Sequence, residues 1–499
     1  MKSIVAGGGV LALVAGVGWS AGCSGGKASA ARREGPPPIV LLSMDTFRVD
    51  RIGAYGNPNG LTPNLDAFAA EAVVFENVYS QAVQTAPSHT SLFTSRYPSE
   101  QIGTNRQPYV PKEMPLLAEL LSLYDYQTGA FVGGADLSPW RGLNKGFDTY
   151  EASVDFGSFF HTGPMALAWL DKVEQDRPYF LFVHGYDTHS RYLKPPPYGY
   201  AHSDARIENE GQNAARSATE RLVDGVMYPD FNGLMQSYET ELRPRSDAAK
   251  ANLAKGDGSD DQAVRVTEAD VDLIRDVYDG AVSYADTMVG TFLAGLEERG
   301  VLDEAVVVIL ADHGEQLGEH GLFGHCCEAR DEEARVPLMV RLPGGEGGGR
   351  RVSGLVELVD VMPSLVQLAD ATPPARIHGR SFAAALRGAP FEGRRFAFTE
   401  GSEMMRLVTM RGPEGRLTYT GLSPSAPLLG DLVEAARLDG PAFVVDGDVS
   451  DASRAEMRTG MVTWLRSLTP TPTGIGSTGE MPEALKKSLR EHGYWNVKE

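Results

Sequence analysis

Cysteine is nearly missing from this chain, with three in 499 residues. Cys23 stands alone near the start and Cys326-Cys327 are adjacent, so no disulfide framework can be drawn. The fold must be held by its core, which a chain of this length can supply. Basic residues are in deficit as well: 46 Lys and Arg stand against 66 Asp and Glu, a formal charge of −20. No nucleic acid partner is expected, because phosphate backbones need a Lys/Arg footprint. An anionic small substrate stays compatible where a cation or local basic groups reverse the field inside a pocket.

Long apolar runs are also absent, with one exception at residues 4–19 (IVAGGGVLALVAGVGW). That run is too short and too Gly-rich for a comfortable membrane span. It follows Met1-Lys2-Ser3 and ends in Ser20-Ala21-Gly22-Cys23, which resembles a bacterial lipobox. Residues 1–23 are therefore expected to be a lipoprotein-type signal, with a plain secretory signal as the alternative. The first reading anchors the chain to a membrane through lipid on Cys23, exported to the periplasm or outer membrane of a bacterial envelope. Residues 24–38 read as a flexible tether.

From residue 38 onward, short β-branched runs alternate with amphipathic helices. Residues 39–43, 129–132, 179–183 and 306–310 read as buried strands. Thr62-Pro63 opens a helix with a cap and a first-turn proline, and a long helix runs from Thr267 to Gly300. Strands separated by helices imply α/β architecture: a large, mostly parallel sheet sandwiched by helices. Residues 39–385 form the expected catalytic domain, interrupted by a polar insertion at about 200–266. Residues 386–499 read as a small C-terminal α+β domain, with antiparallel strands near 395–399, 407–410 and 417–420 and helices near 452–466 and 482–491. Cys326-Cys327 are expected as two free thiols in a loop, a vicinal disulfide being the alternative.

In an open parallel sheet, ligands bind beyond the carboxyl ends of the strands. The first strand ends in Asp45, the third in His184-Gly185-Tyr186-Asp187-Thr188-His189, and the fourth in Asp312-His313-Gly314-Glu315. Carboxylates and imidazoles are ligand types for a divalent cation. Thr85 adds a hydroxyl at the start of a predicted helix, where free amides favour an anion. Taken alone, that segment also fits a mere helix cap. The Gly run at 344–349 lacks a phosphate-loop Lys and reads as a surface turn. Glu315 and Glu319 are read as fixing loop geometry, with a general base as the alternative.

The strings SMDTFRVDRIGAYG, LTPNLDAFAAEAVVFENVYSQAVQTAPSHTSLFTSRYP, NKGFDTY, FLFVHGYDTHSRY, LADHGEQLGEHGLFGH and RVPLMVRLPG occur in that order, followed by LVDVMPSLVQLA and IHGRSF. Together they resemble the sulfatase family of the alkaline-phosphatase superfamily, over about residues 38–385. The resemblance implies an alkaline-phosphatase-like fold, with Asp45, Thr85, Asp312 and His313 around one divalent cation and Thr85 as nucleophile. It implies His189 at the anionic group or leaving oxygen, and His89, His184 and His325 as pocket residues. His320 is placed as a residue that orients a neighbour. Mn or Zn is expected ahead of Ca, because an imidazole is softer than a carboxamide ligand.

Departures from the family pattern matter. Sulfatases of the usual kind carry a Cys or Ser, converted to formylglycine, where this chain has Thr85, and an Arg where it has His89. The Lys-Trp-His-Leu-Gly segment has no counterpart, and Thr46 stands in place of a second carboxylate. The Asp, Thr, Asp, His set resembles superfamily members with a Thr nucleophile that act on phosphorus. Three readings follow: a phosphate or phosphonate ester hydrolase acting through Thr85, a formylglycine-independent sulfatase, or a lipid-anchored binding protein without turnover. The substrate is expected to be a small-molecule, lipid or glycan anionic ester.

Overall fold

Six consecutive buried residues, Ile39–Met44 (β1), lie in the middle of an eight-stranded sheet. The other strands are β2 (Val73–Phe75), β3 (Gln127–Phe131), β4 (Thr149–Glu151), β5 (Tyr179–Gly185), β6 (Val306–Ala311), β7 (Leu338–Arg341) and β8 (Arg351–Val352). Their order across the sheet is β8-β2-β7-β6-β1-β5-β3-β4. Only β7 runs against the rest. Parallel strands covered on both faces carry apolar side chains on both, which explains why β1, β5 and β6 are near-continuous hydrophobic runs. The computed structural model describes residues 35–101, 110, 114–190, 192, 194–195, 198, 268–325, 329–401, 407–413, 415–419, 443–446 and 450–468. The expected signal with Cys23, the tether to residue 34, the 200–266 insertion, Cys326-Cys327 and the 482–491 helix lie outside the described residues.

Helices flank the sheet: α1 (Pro63–Ala70), α2 (Thr85–Thr94), α3 (Phe159–Leu170), α4 (Glu268–Glu298) and α5 (Val361–Leu368). Thr62 occupies the cap position of α1, but its hydroxyl accepts from Gly53 N at 3.0 Å instead of capping. The cap comes from α4: the buried Asp286 carboxylate accepts from Asn64 N at 3.1 Å and Leu65 N at 2.8 Å. Asp187, just past β5, serves α3 the same way, accepting from Phe159 N at 2.8 Å. Carboxylates from distant elements thus satisfy the free first-turn amides.

The C-terminal strands, β9 (Ala397–Glu400), β10 (Val408–Gly412), β11 (Gly415–Tyr419) and β12 (Phe443–Asp446), form an antiparallel meander. Helix α6 (Asp451–Ser467), capped by Ser450, packs Met457, Met461, Trp464 and Leu465 against Phe398, Met410 and Leu417. Just before this unit, Arg394, 10% exposed at its side chain, pairs with Glu357, on the short strand paired with Val78–Tyr79, at 3.0 Å and with Asp360 in the turn that follows. Glu357 also accepts from Phe398 N and Tyr97 Oη, each at 2.7 Å, and Asp360 accepts from Arg380 N at 2.6 Å and Glu357 N at 2.9 Å. Every oxygen of the two carboxylates has a donor.

Candidate active site

The carboxyl ends of β1 and β6 converge on the start of α2. Backbone strain makes the turn after β1: Thr46 adopts φ 53°, a left-handed conformation that costs a non-Gly residue about 1–3 kcal/mol. The kink is held by Tyr278 Oη donating to Thr46 O at 2.7 Å and by Thr46 N donating to Asp312 Oδ1 at 3.3 Å. His313 N donates to the same oxygen at 2.8 Å. Asp312 is therefore fixed through Oδ1, while Oδ2 finds no partner. Gly314 suits the next turn, since a Cβ there would meet Glu332 O at 2.1 Å.

Thr85 is the first residue of α2, after Gln84 as the cap. Its hydroxyl does not cap the helix but donates to Asp45 Oδ2 at 2.9 Å. Asp45 Oδ1 has no partner. His313 Nδ1 lies 2.9 Å from Gly314 O. A carbonyl only accepts, so Nδ1 carries the proton and Nε2 presents its lone pair. Asp45, Asp312 and His313 each keep an unpartnered buried ligand atom, and one ligand atom from each lies within 4.8 Å of the others. Buried polar groups without partners are costly, and this donor set fits a divalent cation.

Electrostatics agree with the geometry. Burial pushes the Asp45 carboxyl up to about 8, partly opposed by the Thr85 hydrogen bond. Asp312 is raised to about 8 by burial and by the Asp45 charge. Two carboxylates this close and this dry cannot both ionise without a cation beside them. Burial lowers His313 to about 4, so its imidazole is neutral and ready to ligate.

The remaining candidates separate into distinct environments. His89 is fully buried: its Nδ1 donates to Thr85 O at 2.8 Å, and its Nε2 accepts from Ser43 Oγ at 2.9 Å. Both ring nitrogens are engaged, so His89 braces the first turn of α2 instead of facing a substrate, as the resemblance had implied. His184, beside Asp45 on β5, is equally buried, and neither ring nitrogen has a hydrogen-bond partner. His189 and His325 meet at 3.3 Å between their Nε2 atoms, and the His325 ring lies 4.5 Å from that of His313. His320 stands apart: it is exposed and 3.6 Å from Glu332. Its expected orienting role at the centre is not supported by its position. Glu319 accepts from Leu317 N at 2.6 Å and pairs with Arg48 at 2.8 Å, which fixes the loop.

Thr46, which stands where the family carries a second carboxylate, keeps its Oγ1 buried and without a hydrogen-bond partner, while its N–H reaches Asp312; that it sits in a strained left-handed turn was not visible in the sequence.

The sheet, its helices and the site at the strand ends define an alkaline-phosphatase-like fold. The sulfatase family profile matches residues 37–371, and the chain belongs to that family. An ulvan-active sulfatase of Formosa agariphila is 26% identical over 398 residues, covering 77% of this chain and 71% of the relative. The phosphonate monoester hydrolase of Agrobacterium radiobacter superposes with a TM-score of 0.62 at 19% identity, covering 87% of this chain and 95% of that one. A structure in complex with its substrate D-glucosamine-2-N,6-O-disulfate also gives a TM-score of 0.62 at 19% identity, over 86% of this chain and 97% of its own. The protein is a hydrolase acting on ester bonds.

Proposed function

We propose that this hydrolase cleaves an anionic phosphate or phosphonate ester through Thr85, aided by one divalent cation. The observation that carries this reading is the Thr85 hydroxyl, 2.9 Å from Oδ2 of Asp45, one of three residues that each keep an unpartnered ligand atom and cluster within 4.8 Å. Asp45, Thr85, Asp312 and His313 would hold the cation, Mn or Zn ahead of Ca, and it would supply a Lewis acid that lowers the hydroxyl pKa and offsets the anion's charge.

The chain's own groups perform the rest. Thr85 Oγ1 attacks phosphorus, and its proton passes to Asp45 Oδ2, to which it already donates. A phosphorus–oxygen bond to Thr85 forms as the bond to the leaving oxygen breaks. His189 Nε2–H supplies the proton to that oxygen, with His325 alongside. Water then attacks phosphorus, giving one proton to His189, and the bond to Thr85 Oγ1 breaks as Asp45 returns its proton to that oxygen. Amides of the first turn of α2, outside the helix's own hydrogen-bond ladder, face the incoming anion.

A second reading, sulfate-ester cleavage by the same residues, is supported by the sulfatases among the relatives. A sulfated aminosugar is its natural substrate class. Thr85 favours phosphorus, because Thr cannot yield the aldehyde on which the usual sulfatases depend. Anchoring through Cys23 and an envelope location belong to the same proposal and rest on residues 1–23 alone.

Purified residues 24–499 should be assayed with aryl phosphate mono- and diesters, an aryl phosphonate ester and an aryl sulfate. The phosphorus esters are expected to turn over, and Thr85→Ala to be inactive on them. Equal activity in Thr85→Ala would sink the Thr nucleophile. Turnover of aryl sulfate alone would replace the first reading with the second.

A further inference from the structure

Ser43 and His184 are register partners on adjacent parallel strands, so their side chains leave the sheet on the same side. That side carries α2, whose His89 ring lies 5.1 Å from the His184 ring. His184 is 0% exposed, and neither ring nitrogen has a hydrogen-bond partner. Its Nε2 lies 3.5 Å from Asp45 Oδ2, the oxygen that accepts from Thr85.

Nothing in the catalytic reading uses this imidazole. A buried donor and acceptor left unpaired are costly, so the ring is expected to have a partner in the working protein. Ligand atoms of His89, His184 and Asp312 also lie within 4.8 Å of one another. This second group shares Asp312 with the first. His89 has no lone pair to spare, because Ser43 occupies its Nε2 and Thr85 O its Nδ1 proton. His184 alone is left to add a ligand.

We infer that His184 is a further ligand of the same cation, completing a set of two carboxylates, one hydroxyl and two imidazoles. The inference rests on the cation site proposed above. Burial keeps the ring neutral, its pKa lowered to about 4, as a ligand must be. Its chemical consequence is selectivity. A second imidazole favours borderline cations such as Zn or Co over the hard, oxygen-preferring Mg and Ca.

The test reads cation binding without turnover. Wild type, His184→Asn and His313→Ala are titrated with Zn, Co and Mg, with bound ions counted per chain and the visible spectrum of the Co form recorded. Circular dichroism and the melting temperature control for folding, and Asn keeps the site polar if a smaller residue collapses it. One ion per chain is expected in wild type. His184→Asn should weaken Zn and Co at least about tenfold and change the Co spectrum, while Mg binding stays within about twofold. Unchanged Zn affinity and Co spectrum in His184→Asn, with binding abolished in His313→Ala, would overturn the role of His184 and leave the site itself intact. Two ions per chain would overturn the single shared centre. Undisturbed binding in His313→Ala would instead sink the parent reading.

Discussion

The buried pairs Glu357–Asp360 and Asp45–Asp312 are treated by the chain in opposite ways. Glu357 and Asp360 are neutralised from within, by Arg394 and a ring of backbone and Tyr97 donors. Asp45 and Asp312 receive no Lys or Arg and keep one bare oxygen each. The first pair is finished when the chain folds and ties the short Val356–Glu357 strand to the C-terminal meander through Phe398 N. The second is finished only by something from outside. A cluster of buried charge therefore marks function here through what the chain withholds, more than through burial itself.

The largest expected effect falls on the unfinished pair. Thr85→Ala should lower kcat by about a thousandfold or more while the melting temperature barely moves, because the hydroxyl supplies bond-making and little packing. Steady-state assays beside thermal melts check both halves; a large fall in stability would erase the contrast.

Breaking the finished pair should do the reverse. Arg394→Met strands two buried carboxylates and should cost about 3–5 kcal/mol of stability, measured by denaturant unfolding. Activity per folded molecule should survive at permissive temperature.

A smaller effect follows from supplying the missing charge. Adding Zn or Mn at a hundredfold excess over its Kd should stabilise the chelated protein by about 2.7 kcal/mol. Asp312→Asn removes the repulsion, so it should raise the melting temperature of the cation-free protein and abolish that response. An equal response in the variant would place the cation elsewhere.

The smallest effect concerns another buried carboxyl. Glu400 lies at the junction, raised to about 8 by burial and only partly relieved by hydrogen bonds from Ser99. The folded state therefore holds a proton that the unfolded state releases near its ordinary value of 4.5. Stability from this group is full below about 4.5 and is lost as pH rises towards 8. Glu400→Gln should flatten that slope and raise the melting temperature at pH 8, most visibly in melts at pH 5, 6.5 and 8.

What was readable in the sequence follows from how local each signal is. Strands β1, β3, β5 and β6 announce themselves as apolar runs, and Asp45, His184 and Asp312 as the residues those runs deliver. Strands β2, β4, β7 and β8 are two to four residues long and exist through their neighbours. Caps from Asp286 and Asp187 act across 221 and 28 residues, beyond any local pattern. His89 was visible as a departure from an Arg, but its bracing of α2 depends on Ser43, 46 residues away. His320 shows the opposite failure. It follows the Asp-His run closely in sequence, yet the chain turns and carries it to the surface.

Finally, β1 sits between two partners drawn from residues 179–185 and 306–311. The loops that must close to seat it span much of the chain, so its pairing is intrinsically slow. Asp45 and Asp312 meet only when β1 and β6 are paired. A divalent ion can therefore do little to hasten assembly, but it can delay disassembly, since the same strands must part before it leaves. Chelation should shorten the lifetime of the native state far more than it slows refolding.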